Sequence, residues 1–124
     1  MTKNILVIDD EGLVTKTLKK LLTKAGYNAV ITSSGSEAIE KMKAEDFNLV
    51  VCDIRMPEID GIETIEKIRQ VQVDKGKTPC PEIIITGYAD EEKYKSAVKL
   101  KVADYLFKPF DTQQFLDAIK KNLI

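Results

Sequence analysis

The chain has 124 residues, 31% of them charged and 44% hydrophobic, and its 19 basic and 20 acidic side chains leave a formal net charge of −1. That length suits a single domain over residues 1–124 with its own core, and interspersed charge of near-zero sum provides no global field toward nucleic acid or a membrane surface. Histidine is absent, which excludes Ser-His-Asp and Cys-His catalysis, a histidine-ligated metal and a phosphohistidine carried by the chain itself.

The elements alternate along the chain. Strand-like runs are expected at Asn4–Ile8, Ala29–Thr32, Leu49–Cys52, Glu82–Ile85 and Asp104–Phe107. Between the first two, Val14, Leu18, Leu21, Leu22 and Ala25 repeat at helical spacing, and Gly26 offers a C-terminal stop. Ser34 or Ser36 caps a second helix whose Ala38, Ile39 and Met42 face inward. Ile62, Ile65 and Ile68 mark a third helix, and the polar stretch 74–79 reads as a loop after it. Asp90 is placed to cap a fourth helix carrying Tyr94, Ala97 and Val98. Asp111 or Thr112 is placed to cap a fifth carrying Phe115, Ile119 and Leu123.

Strict β–α alternation predicts an α/β fold, a parallel sheet with helices on both faces and right-handed crossovers. No apolar run approaches the roughly 20 residues that span a bilayer. Met1-Thr2-Lys3-Asn4 lacks signal-peptide anatomy, so the cytoplasm is the expected compartment, with no membrane partner. Cys52 and Cys80 are too few and too far apart for a disulfide framework or a zinc site.

The strand exits carry the chemistry. The first strand ends in Asp9-Asp10, the third in Asp53, the fourth in Thr86-Gly87 and the fifth in Lys108-Pro109. In a parallel sheet all of these reach one edge, the edge at which open α/β sheets bind ligands. Three converging carboxylates repel one another unless cations are supplied. A divalent cation and the Lys108 ammonium together offset their formal charge. Oxygen ligands without His or Cys favour a hard cation such as Mg²⁺. A carboxylate beside such a cation, a lysine and a hydroxyl is a set suited to phosphoryl transfer.

Asp9-Asp10, the segment from Asp53 through Met56-Pro57 to Asp60-Gly61, Thr86-Gly87, and Tyr105 with Lys108-Pro109 resemble, in that order, the receiver domains of two-component response regulators. The resemblance covers essentially the whole chain. It implies a flavodoxin-like, doubly wound five-stranded sheet of order 2-1-3-4-5 with five helices. It further implies Asp53 as phosphoacceptor, and Mg²⁺ held by Asp10, Asp53 and the Arg55 backbone carbonyl, with Asp9 acting directly or through water. Lys108 would pair with the phosphoryl group, next to a cis Lys108–Pro109 bond. Thr86 would move toward the phosphoryl oxygens and Tyr105 would turn inward, altering the surface of the fourth helix, fifth strand and fifth helix.

The implied partners are a sensor histidine kinase or histidine phosphotransfer protein as donor, and a downstream protein or output domain as reader. A homodimer through that same surface belongs to the same set of expectations, whereas direct nucleic-acid binding does not, because no DNA-binding helices follow Lys121. The chain is either a stand-alone regulator or the amino-terminal part of a longer one. In this reading it is a signalling phosphoacceptor that assists its own phosphorylation and dephosphorylation. Arg55 and Tyr88 would tune the lifetime of the phosphoryl state. Lys101-Val102 departs from the Gly-Ala common in the family before the fifth strand, and a positive φ at Lys101 would cost about 1 kcal/mol more than at glycine.

Taken singly, the residues have plainer explanations. Asp9 or Asp10 could cap the first helix, Thr86 could simply end a strand, Lys108 could be a solvated charge, and Tyr105 could be packing. Asp53 resists this treatment, because an unpaired carboxylate at the end of a buried run is costly. The lysines of the first and fourth helices read as solvated faces. A Mg²⁺-dependent phosphatase of the haloacid-dehalogenase type also uses an aspartyl phosphate, but it needs Asp-x-Asp where this chain has adjacent aspartates. A flavodoxin would place a phosphate loop where Asp9-Asp10-Glu11 repels phosphate.

Overall fold

Strands β1 (Asn4–Ile8), β2 (Asn28–Thr32), β3 (Leu49–Asp53), β4 (Glu82–Thr86) and β5 (Asp104–Phe107) alternate with helices α1 (Gly12–Lys24), α2 (Gly35–Ala44), α3 (Gly61–Asp74), α4 (Glu91–Leu100) and α5 (Thr112–Asn122). The computed structural model describes residues 2–56, 58–87 and 91–123. The strands form one sheet of order β2-β1-β3-β4-β5, with every neighbouring pair parallel. The order reverses between β1 and β3, where a doubly wound sheet opens its crevice.

Alternation along each strand divides the core in two. Ile5, Val7, Leu49, Val51, Ile83 and Ile85 face Leu18 and Leu22 of α1 and Phe115 and Ile119 of α5. Leu6, Ile8, Val50, Cys52 and Ile84 face Ala38 and Met42 of α2, Ile65 and Ile68 of α3, and Ala97 of α4. Burial on both faces explains why β3 and β4 read as unbroken apolar runs. Beyond the expected ends, β3 also takes in Asp53 and β4 takes in Thr86.

Local chemistry sets the helix ends. Gly26, at φ 94°, follows the last residues of α1 in the left-handed region. Ser34, not Ser36, caps α2 by accepting from the Glu37 N–H at 3.1 Å. Asp60 caps α3, and Asp111 caps α5 in a reciprocal box with Gln114. Asp90, expected to cap α4, lies outside the described residues. Neither Asp9 nor Asp10 caps α1, because Glu11 occupies that position. Among the described side chains of α4, Ala97 alone is fully buried. Val98, expected on the packed side, is 47% exposed, because its direction lies about 100° further round the helix. Lys101 does take a positive φ, 57°, just past the end of α4.

At the opposite edge of the sheet from the strand exits, Arg69 of α3 binds Glu82 at the start of β4 through two parallel hydrogen bonds of 2.8 and 2.9 Å. Among the described residues no helix is long and apolar enough to cross a membrane.

Candidate functional site

The parallel register carries Asp9, Asp10, Asp53, Thr86 and Lys108 to one edge. β1 ends at Ile8, opposite Cys52, so Asp9 and Asp10 leave the sheet beside Asp53. Asp53 in turn lies opposite Ile85, one residue before Thr86. The Lys108 N–H donates to the Thr86 carbonyl at 2.8 Å, extending the β4–β5 ladder by one residue and fixing where the lysine side chain starts.

Asp53 is buried, with each carboxylate oxygen held differently. Oδ1 accepts from the Arg55 N–H at 3.1 Å, and Oδ2 accepts from the Lys108 ammonium at 3.0 Å across 55 residues of sequence. Asp9 is 1% exposed and its Oδ1 accepts from the Glu11 N–H at 3.0 Å. Its other oxygen, Oδ2, is buried without a hydrogen-bond partner among the described residues. Asp10 is exposed. One carboxylate oxygen from each of Asp9, Asp10 and Asp53 falls within 4.8 Å of the others.

The electrostatics follow from this crowding. Asp9 is pushed up to about 6, chiefly by burial, with the Asp53 charge adding to the effect and the Glu11 N–H and Lys108 opposing it. For Lys108 burial works to lower the pKa. The Asp53 hydrogen bond and the charges of Asp53, Asp9 and Glu11 outweigh it and hold the ammonium above its ordinary value. Among the described residues, the Lys108 ammonium is hydrogen-bonded to one of three clustered aspartates. An orphaned buried carboxylate oxygen and a donor set made only of oxygens fit a hard divalent ion.

The approach of α3 depends on glycine. A β-carbon at Gly61 would lie 2.5 Å from the Asp53 carbonyl oxygen and 2.8 Å from Ile54 Cα. Gly61 N–H also donates to the Ile54 carbonyl at 3.0 Å. Gly61 therefore lets the start of α3 close against the strand end that presents Asp53.

Each expected site residue with described coordinates has a defined place. Thr86 is 1% exposed and its hydroxyl donates to the Gly87 carbonyl at 3.4 Å, a long contact. Tyr105 is half-buried and meets Tyr94 edge to face, with ring centroids 5.0 Å apart. Arg55 is exposed, and the Lys108–Pro109 bond is cis. Pro57 and Tyr88 lie outside the described residues. Glu11 escaped notice as a site residue although it adjoins the aspartate pair. Its Oε1 lies 3.9 Å from the Lys108 ammonium. In the sequence Tyr94 is only a helix-face residue, because nothing in the spacing ties α4 to Tyr105.

A family model for the response regulator receiver domain matches residues 5–120. Transcriptional regulatory protein ZraR of Escherichia coli (strain K12) is 36% identical over 120 residues, covering 97% of this chain and 26% of its own length. Chemotaxis protein CheY of Bacillus subtilis (strain 168) is 31% identical over 124 residues, 99% of each chain. A response regulator receiver domain protein (CheY-like) from Methanospirillum hungatei JF-1 superposes with a TM-score of 0.88 at 29% identity, covering 99% of this chain and 94% of that one. The chain thus spans about a quarter of the length of ZraR and nearly all of the chemotaxis protein. None of these similarities points to a haloacid-dehalogenase phosphatase. The chain belongs to the response regulator receiver domains, the phosphoacceptors of two-component signalling.

Proposed function

We propose that Asp53 takes a phosphoryl group from a phosphohistidine on a partner protein, a sensor histidine kinase or a histidine phosphotransfer protein. One Asp53 carboxylate oxygen forms the new P–O bond while the P–N bond to the donor imidazole breaks. The imidazole nitrogen keeps the electron pair and takes up a proton from solvent. The observation that carries this reading is the convergence on Asp53 of the Lys108 ammonium and two further carboxylates.

The chain's own groups have separable parts. The Arg55 N–H holds one Asp53 oxygen and so orients the other. Lys108, 3.0 Å from that other oxygen, shifts its hydrogen bond to a phosphoryl oxygen as charge develops there. Thr86 exchanges its long contact with the Gly87 carbonyl for a charged phosphoryl acceptor. Asp9, Asp10 and Asp53, with the Arg55 backbone carbonyl, are the residues that would hold Mg²⁺, which when bound neutralises charge on the phosphoryl oxygens. The same groups assist hydrolysis of the acyl phosphate, and Arg55 and Tyr88 tune its lifetime.

Thr86 moving toward the phosphoryl group vacates space into which Tyr105 turns, repacking the surface of α4, β5 and α5. A downstream protein, an output domain or a second copy of the chain reads that surface. The domain itself comprises residues 1–124, and donor and reader meet it in the cytoplasm.

Incubation with Mg²⁺ and acetyl phosphate tests this reading. The expected product is a hydroxylamine-sensitive, metal-dependent modification of the wild type that Asp53→Asn does not acquire. Equal labelling of the variant, or a hydroxylamine-resistant product, would remove the acyl-phosphate assignment.

A further inference from the structure

We infer that Tyr94 relays the movement of Tyr105 to the exposed ring of Phe107. The inference rests on the proposed inward turn of Tyr105 and extends it to a residue with no assigned role. In the β4–β5 register Ile84 lies opposite Tyr105 and Thr86 lies opposite Phe107. Paired residues of parallel strands share a face, and Ile84 belongs to the core on which Ala97 of α4 packs. Thr86, Tyr105 and Phe107 therefore share the face that α4 covers.

One ring of α4 touches both aromatics of β5. Tyr94 lies 5.0 Å from Tyr105 at an interplanar angle of 66°, and 5.4 Å from Phe107 at 54°. Tyr94 is half-buried, Phe107 is 45% exposed, and Val98, one turn further along α4, is 47% exposed. The three rings run from a side chain packed against the core to one that solvent reaches.

Both contacts belong to the same Tyr94 ring, so they are not independent. An edge-to-face pair biases a two-state equilibrium by roughly two- to tenfold. When Tyr105 turns inward, Tyr94 loses its edge-to-face partner and rotates or slides to regain contact. Either motion changes how its ring lies against Phe107. The event at Asp53 thereby reaches an apolar surface, Phe107 with Val98, through packed rings that have two discrete arrangements. Tyr94 is a positioning residue in this scheme.

The test is NMR of the full chain with Mg²⁺ and beryllofluoride as the phosphoryl mimic, following the ring signals of Tyr105 and Phe107. In the wild type both should shift. Tyr94→Phe keeps the ring and should preserve both responses. Tyr94→Leu should leave the Tyr105 response in place while the Phe107 response loses at least half its amplitude. A full Phe107 response in Tyr94→Leu would overturn the relay while leaving the Tyr105 switch intact. A wild-type Tyr105 signal that does not move would instead remove the switch reading, and the relay with it. Ring-to-ring cross-peaks in the unmutated protein provide a check that needs no variant. On adding beryllofluoride, Tyr94–Tyr105 cross-peaks should weaken and Tyr94–Phe107 cross-peaks should change, and unaltered Tyr94–Phe107 cross-peaks would contradict the relay.

Discussion

Gly61 packs against Asp53 so closely that a β-carbon there would stand 2.5 Å from the Asp53 carbonyl oxygen. The contact is backbone to backbone, so no side-chain rotation can relieve it. Gly61→Ala must displace either the start of α3 or the end of β3. The expected stability loss is about 1–3 kcal/mol, read from the shift in denaturant midpoint at constant slope. Because the displaced segment presents Asp53, Mg²⁺ affinity and phosphoryl uptake should also fall in the fraction that remains folded. Gly12, which has open space around its missing side chain, provides the control: Gly12→Ala should leave both properties near the wild type.

The second prediction concerns pH in the metal-free protein. Burial pushes the Asp9 carboxyl up to about 6 in the folded chain, above its ordinary value of 3.8. An acid whose pKa is raised on folding favours the folded state fully below its unfolded pKa, and that contribution is lost as pH rises through the folded value. In the presence of a chelator, Asp9→Asn should therefore be more stable than the wild type near neutral pH, by on the order of 2 kcal/mol. The gap should close between about pH 6 and pH 4. Chemical denaturation of both proteins across that range measures it, and a gap that does not vary with pH would contradict the assignment.

Lys108 competes with any added cation for Asp53. Removing it as Lys108→Met takes away the ammonium that hydrogen-bonds Asp53 in the metal-free cluster, while a bound divalent ion compensates for the loss. Mg²⁺ affinity should rise several-fold, since one charge pair at this separation and an intermediate dielectric is worth on the order of 1 kcal/mol or more. Isothermal titration or NMR titration reads the change. A lower affinity would mean that Lys108 organises the acids rather than competing with the metal.

Arg69 and Glu82 test the other edge of the sheet. The Glu82 side chain is 5% exposed and that of Arg69 28%, and the pair raises the Arg69 pKa mainly through its hydrogen bonds. Arg69→Met leaves a buried carboxylate unpaired and should cost about 2–4 kcal/mol, less than a fully enclosed pair because the arginine reaches solvent. The double variant Arg69→Met/Glu82→Leu should recover most of that loss. Phosphoryl uptake should survive in both, because the pair lies at the opposite edge of the sheet from Asp53.

Much of this architecture was legible in the sequence because its signals are local. Runs such as Ile83-Ile84-Ile85 mark strands, and Gly26 marks a helix end through its backbone freedom. Ser34 or Ser36 and Asp111 or Thr112 narrow two helix starts to neighbouring candidates, of which the Ser34 and Asp111 side chains are the caps. The acidic site was legible because topology alone brings strand exits to one edge, which places Asp9, Asp10, Asp53 and Lys108 together. What escaped depends on packing between distant segments. The clearance at Gly61 arises from the angle at which α3 meets β3, and the Tyr94 bracket from how α4 lies on β5. The Glu82–Arg69 pair joins α3 to β4 through residues 13 apart in sequence. Val98 shows the limit of reading faces from spacing on a ten-residue helix, where one step of rotation separates the buried Ala97 from an exposed neighbour.

The central claim is that Asp53, not Asp9 or Asp10, forms the acyl phosphate. Sodium borohydride reduces an aspartyl phosphate to homoserine, so peptide sequencing by mass spectrometry after phosphorylation and reduction reads the modified position directly. The geometry of Asp53, with one oxygen on the Arg55 N–H and the other on Lys108, predicts homoserine at position 53 alone. Homoserine at position 9 or 10, or a phosphorylated protein that yields none, would contradict it.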